Sequence, residues 1–242
     1  MAAALTAALT TYLSSALDKG FSAVTGPPLT STVALNRNPC EGAPYDYVVP
    51  SLPASPVDGG GMPQSFEESA PDGGYSDVMI TFQGKSGTAV VLHALRVEVT
   101  GRAKAAGVSI GKVAQCGGLE PRNLTVDLDS PAPRAVFRPG SDEAGDGKPP
   151  VRFPFRVSDS DPEVFHVFGA TRTCDCRWRI LIDWSSQGKK GTLVIDDHGR
   201  PFRTVGIKDL PNYDVRYDDG GRPVWRRGEP PPDPAPLREP AS

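Results

Sequence analysis

The sequence predicts an all-β fold: a two-sheet antiparallel sandwich of about eight to ten strands over residues 30–207, with one amphipathic helix at its amino terminus. Three observations carry this. Cys174, Cys176, Trp178, Ile180, Ile182 and Trp184 are apolar, whereas Asp175, Arg177, Arg179, Asp183 and Ser185 are polar, with Leu181 the one exception. Successive Cβ atoms of a strand point to opposite faces, so this alternation describes a half-buried strand. Turn chemistry follows it: Ser185 to Lys190 is polar and contains glycine, Gly191 to Asp196 is extended again, and Asp197-His198-Gly199-Arg200-Pro201 breaks the chain before Phe202 to Ile207. The economical arrangement is a three-stranded antiparallel meander. Finally, the 242 residues include 26 glycines and 26 prolines. Both punctuate helices and occupy turns, which suits many strands joined by interrupted loops.

Taken in order, residues 1–26 come first. Leu5, Leu9, Leu13, Leu17 and Phe21 recur every four residues, which predicts an amphipathic helix ended by Gly26-Pro27-Pro28. The chain's own sheet is the usual partner of such a stripe; self-association through the same helix and membrane contact through residues 1–24 are the other two fates weighed. Thr6, Thr10, Thr11, Ser14 and Ser15 spoil the segment as a membrane span. The first basic residue, Lys19, follows the apolar run instead of preceding it, so no secretory signal is read and the cytoplasm is the expected compartment.

Thr30–Leu35 and Tyr45–Val49 read as strands, and Pro50 to Gly74, with five prolines and Gly59-Gly60-Gly61, as a long mobile loop. Val78–Gln83 and Ala89–Thr100 follow as strands. In the second, Val91, His93, Leu95, Val97 and Val99 share a face, which places His93 among core residues. Leu124, Val126 and Leu128 alternate with Thr125, Asp127 and Asp129. After an acidic loop from Gly140 to Pro150, Phe153–Val157 is an edge or bulged strand because of Pro154. Val164–Ala170 is β-branched and aromatic and also reads as strand. Residues 208–242 read as an extended, proline-rich disordered tail, with six prolines after Glu229.

A net charge of −3 argues against nucleic-acid binding, which needs a basic surface for phosphate. Cys40, Cys116, Cys174 and Cys176 are candidate thiols or disulfide partners; Cys174 and Cys176 share one face of a strand and are not expected to pair with each other. Free thiols, two disulfides and a tetrathiolate zinc site are the alternatives, and the lone Cys40 and Cys116 make zinc the weakest, so no metal is expected. Asp183, Asp196, Asp197 and His198 offer carboxylates and an imidazole, but Asp197 to Pro201 has the chemistry of a turn. Arg177, Arg179, Lys189, Lys190, Arg200 and Arg203 are the candidate contacts for an anionic ligand or acidic partner, against the plainer reading of a solvated face with cross-strand ion pairs. No nucleophile elbow, phosphate loop, zinc-protease motif or dinucleotide fingerprint is present.

The runs Cys174-Asp-Cys-Arg-Trp178, Asp183-Trp184-Ser185-Ser186, Gly191-Thr192 and Ile195-Asp-Asp-His-Gly-Arg-Pro-Phe-Arg-Thr204 resemble the carboxy-terminal β domain of uncharacterised actinobacterial proteins. The resemblance covers about residues 30–207. It implies an accessory module of the kind that follows a helical, membrane-anchoring or DNA-binding part, and brings no catalytic residues with it. The function expected is a non-catalytic binding or interaction module for a protein or anionic ligand, without cofactor. The alternatives are a metal-dependent, hydrolase-like enzyme using the Asp196, Asp197 and His198 turn, and a sensor domain of an envelope or regulatory protein.

Overall fold

The computed structural model describes residues 26–36, 46–56, 69–85, 87–111, 122–138, 140–141, 147–148, 152–229 and 233–237. Residues 1–25 of the predicted helix, Cys40, Cys116 and residues 57–68 of the long loop lie outside them. The described chain is built of strands: β1 (Leu29–Leu35), β2 (Asp46–Val49), β3 (Asp72–Gly73), β4 (Tyr75–Gly84), β5 (Val90–Lys104), β6 (Val108–Gly111), β7 (Arg122–Asp127), β8 (Ala135–Phe137), β9 (Gly140–Ser141), β10 (Gly147–Lys148), β11 (Phe155–Val157), β12 (Glu163–Ala170), β13 (Cys174–Ser186), β14 (Lys189–Ile195), β15 (Phe202–Val205), β16 (Asn212–Tyr217) and β17 (Pro223–Arg227). One short 3₁₀ turn, Ala235–Leu237, follows.

Two large sheets form, as expected, with more strands than expected, and β9 and β10 pair separately as a two-stranded ribbon. One has the order β1-β4-β12-β7-β8; the other runs β11-β5-β13-β15-β3-β2-β6-β16-β17, with β14 also paired to β13. Most pairs are antiparallel, but β12 with β7, β15 with β3 and β16 with β6 are parallel, so the sheets are mixed instead of purely antiparallel. Parallel neighbours need a crossover, and the β7–β12 crossover passes through β11 in the other sheet.

The core lies between the inner faces. Val78, Ile80 and Phe82 of β4, Leu124 and Val126 of β7, and Phe165 and Val167 of β12 meet Leu92, Leu95 and Val97 of β5 and Trp178, Ile180 and Ile182 of β13. The period of two in β13 holds: Cys174 to Ile182 are buried at even positions, and Trp184 is half-buried where the strand runs out of the core. Trp178 is wholly buried, packs on Phe202 at 5.1 Å between ring centroids, and donates its indole N–H to Thr204 Oγ1 at 3.0 Å. Thr204 in turn meets Ser76 Oγ at 2.7 Å, so no polar atom of this trio is stranded. Gly169 is required beneath the indole, because a Cβ there would overlap its six-membered ring.

Three expectations change. The meander is not sequential. β14 pairs with Ile180–Ser186 and β15 with Asp175–Trp178, so both lie along one edge of the long β13 while β5 takes the other. A thirteen-residue strand has room for two successive partners on one side. His93 is exposed instead of buried. The register with β13 shifts between Asp183 and Trp184, leaving His93 as the extra residue of a bulge; Val90 and Leu92 then turn inward, and the His93 imidazole meets Ser185 Oγ at 2.7 Å. The segment from residue 208 is not simply a disordered tail. β16 and β17 form a hairpin whose turn is tied by Asp218 Oδ1 accepting from the Gly220 and Arg222 amides, both at 2.9 Å, with Gly221 at φ 72°. Trp225 packs on a second cluster of Tyr47, Val49, Ala70 and Ile110 and donates to the Pro53 carbonyl at 2.8 Å. Beyond it, Asp233 accepts from Arg172 at 3.0 Å, the Pro236 carbonyl accepts from Arg138 at 3.1 Å, and Pro234 is buried.

Candidate functional site

The six basic candidates divide into two groups. Arg203 forks onto Asp175 with both bonds at 2.8 Å, Arg179 Nε lies 3.4 Å from Asp196 Oδ2, and Arg200 lies 3.5 Å from Asp197 Oδ2. The hydrogen bonds from Arg203 hold the Asp175 carboxyl below the usual carboxylate range despite partial burial, and the positive charges of Arg203 and Arg177 act in the same direction. Arg177 is exposed and stands opposite Arg203 in the ladder. This is the face of cross-strand ion pairs that bidentate arginine geometry favours.

Lys189 and Lys190 belong elsewhere. They open β14 after the Gln187-Gly188 turn, whose two residues have φ 48° and 75°, the left-handed pair a two-residue hairpin needs. Together with Lys85, which follows β4, they line a cleft of about 950 Å³ between the hairpin and the Gly26-Pro27-Pro28 segment leading into β1. Trp184, Leu193, Thr88 and Thr192 complete much of its wall. The Trp184 indole lies across Gly191, its partner in the ladder, where a Cβ would come within 2.8 Å of the ring. Backbone and hydroxyl bonds fix the rim: Lys85 N–H to Pro28 at 2.8 Å and Ser186 Oγ to the Ala89 carbonyl at 2.9 Å.

No ion pair joins Lys85, Lys189 or Lys190 to a carboxylate among the described residues. Asp183, the carboxylate of the hairpin, is already engaged: Arg96 donates twice, at 2.9 and 2.7 Å, and Thr192 Oγ1 once, at 2.7 Å. Those bonds, led by Arg96, lower the Asp183 pKa. The cleft therefore carries positive charge beside an indole and hydroxyls, an arrangement suited to holding an anionic ligand.

The Asp196–Pro201 segment is a turn. Asp196 Oδ1 accepts from the Gly199 amide at 2.8 Å, Asp197 and Arg200 exchange backbone bonds at 2.8 and 3.0 Å, and His198 and Gly199 take φ 53° and 87°. Asp196, not Asp197, supplies the carboxylate to the backbone. The His198 side chain is 86% exposed, and its one polar partner among the described residues is Asp197 Oδ1 at 2.9 Å. Among the described residues no group of three or more His, Cys, Asp and Glu side chains is placed to hold a metal ion. The Cys174 and Cys176 sulfurs lie against each other, where the sequence reading expected no pairing between them; their Cα atoms are 5.4 Å apart, inside the span a disulfide bridges.

One polar cluster escaped sequence reasoning. Asp77 is fully buried on the face of β4 opposite the core and accepts from Asn36 Nδ2 at 2.8 Å, while His166 Nδ1 lies 3.1 Å from the same oxygen. His166 alternates with core-facing Phe165 and Val167, so it sits on the outward face of β12, where nothing in the sequence signals that it is buried. Among the described residues, no hydroxyl or thiol bonds the imidazole, and the trio ties the residue after β1 to the start of β4 and the middle of β12. No helix among the described residues is long and apolar enough to cross a membrane. No protein-family model, curated protein or solved structure matches the chain.

Proposed function

We propose that the protein is a non-catalytic binding module whose ligand site is the cleft between the β13–β14 hairpin and the Gly26-Pro27-Pro28 segment, and whose ligand is anionic. The observation that carries this is the gathering of Lys85, Lys189 and Lys190 around Trp184 without a carboxylate partner among the described residues. Like charges brought together raise one another's energy, and a bound anion relieves that cost. The other basic candidates support the division of labour, since Arg179, Arg200 and Arg203 already have acidic partners. The Asp196, Asp197 and His198 residues act as turn residues in this reading, with the imidazole in solvent.

Titration with inorganic tripolyphosphate, followed by calorimetry at low and physiological ionic strength, tests the proposal. Binding that weakens with salt and falls by about tenfold or more in Lys189→Ala/Lys190→Ala is expected. Equal binding by that variant, with the fold verified by circular dichroism, refutes the cleft as the site.

A further inference from the structure

We infer that the free edge of β14 is a strand-addition site for an extended acidic peptide of a partner protein, an inference that rests on the cleft being the ligand site. Among the described residues β14 pairs with β13 alone, and its Lys189, Lys190, Thr192 and Leu193 line the cleft. The two-residue turn decides which backbone groups are available there. Ser186 and Lys189 close a two-residue turn and so form a hydrogen-bonded pair; Trp184 with Gly191, Ile182 with Leu193 and Ile180 with Ile195 repeat it at every second position. The intervening pairs, Ser185 with Lys190, Asp183 with Thr192 and Leu181 with Val194, are the non-hydrogen-bonded ones. The N–H and C=O groups of Lys190, Thr192 and Val194 therefore point away from β13, toward the open edge.

Several features select a peptide over a small anion. A free strand edge offers alternating donors and acceptors at the spacing of another backbone, which gives affinity without regard to side chain, while pockets on alternate residues give specificity. On the inner side, a ligand strand would meet Leu193 and the Trp184 indole lying over Gly191, an apolar surface. Near the turn it would meet Lys85, Lys189 and Lys190, which favours carboxylates there. Edges that proteins protect from pairing carry charge or proline along their length. Here the lysines sit at one end, and the remainder presents Thr192 and Val194, the latter 50% exposed, both β-branched residues suited to pairing.

The test uses a capped peptide of about eight residues alternating Glu and Val, long enough to span β14 at ~3.3 Å per residue. Its companions are the Gln-for-Glu peptide, two versions N-methylated on either set of alternate residues, and inorganic tripolyphosphate. Amide chemical shifts of the full chain are followed. The expected result is that the Glu peptide shifts Lys190, Thr192 and Val194. One N-methylated version, but not the other, binds at least ~tenfold more weakly, because only one set faces β14. The Gln peptide also loses affinity. Val194→Pro, which deletes an outward N–H from an edge position, removes peptide binding while leaving the tripolyphosphate response in place. Tripolyphosphate binding together with a peptide that fails to bind, or that is indifferent to both methylation patterns, overturns strand addition while the anionic cleft stands. Equal binding of the Gln peptide overturns the acidic partner. Absence of binding by tripolyphosphate and peptide alike overturns both readings.

Discussion

Removing the Trp178 side chain tests the packing on which both sheets depend. The indole is fully buried, stacks obliquely on Phe202, covers Gly169 and donates to Thr204. Truncation of a buried tryptophan costs about 3–5 kcal/mol through lost transfer energy and the cavity left behind. Trp178→Phe separates the parts: it keeps an aromatic ring but loses the N–H donor, and Thr204 retains Ser76 as a partner, so about 1–2 kcal/mol is expected. The contact with Gly169 adds a coupling that can be read in a cycle. Gly169→Ala should destabilise the parent by more than ~2 kcal/mol, because the new Cβ overlaps the indole, and should cost little in Trp178→Ala, where that space is empty. Equilibrium urea unfolding monitored by far-ultraviolet circular dichroism measures all four proteins. A Trp178→Ala loss below about 1 kcal/mol, or additivity of the two substitutions, refutes the packing argument.

The remaining predictions concern charge and turns. Asp175 has a folded pKa below its ordinary value of about 3.8, so its contribution is present above that value and is lost as pH falls through the lower folded one. With Arg203 half-exposed the pair is worth about 0.2–1 kcal/mol; Asp175→Asn should remove that much at pH 7 and flatten the acid limb of urea midpoints measured below pH 4. His198→Ala should change stability by less than about 0.5 kcal/mol, whereas Asp196→Ala, which strips the Gly199 amide of its acceptor and Arg179 of its partner, should cost about 1 kcal/mol in the same melts. Asp77→Ala removes the acceptor that the Asn36 and His166 side chains share and should cost about 2–4 kcal/mol, with early hydrogen exchange at the end of β1 and around His166 in β12.

Where periodicity and burial act on the same residues, the fold was legible. The alternation in β13 named its inner face through Ile182, and the proline in Phe153-Pro154-Phe155 marked an edge strand, which β11 is. Periodicity carries no information about which strand pairs with which, so the two successive partners of β13 stayed hidden behind an expected meander. His93 misled for a related reason. A bulge adds one residue and inverts the alternation on its far side, and the register shift that marks it is set against Asp183 and Trp184, the latter 91 positions along the chain from His93. The hairpin β16–β17 was masked by neighbouring prolines, although Asp218-Asp-Gly-Gly-Arg222 between two β-prone runs had the chemistry of a turn.

The candidate site was legible as a composition and illegible as an arrangement. Six basic residues within thirty positions identified a positively charged hairpin, but charge in a sequence does not show which cations are already neutralised. Arg203 finds Asp175 because they lie diagonally across β13 and β15; Arg179 finds Asp196 where β14 gives way to the turn. Both pairings depend on register. Lys189 and Lys190 remain because they stand opposite Ser186 and Ser185 at the end of β13, while Asp183, the nearest carboxylate of that strand, is already matched with Arg96 of the bulged β5. Lys85 joins them from the end of β4 in the other sheet, more than 100 residues earlier in the chain. The surplus charge is thus produced by topology: ion pairing takes up Arg179 and Arg203 along the strands and leaves the lysines at the turn, beside the one edge of β13's partner that no described strand covers.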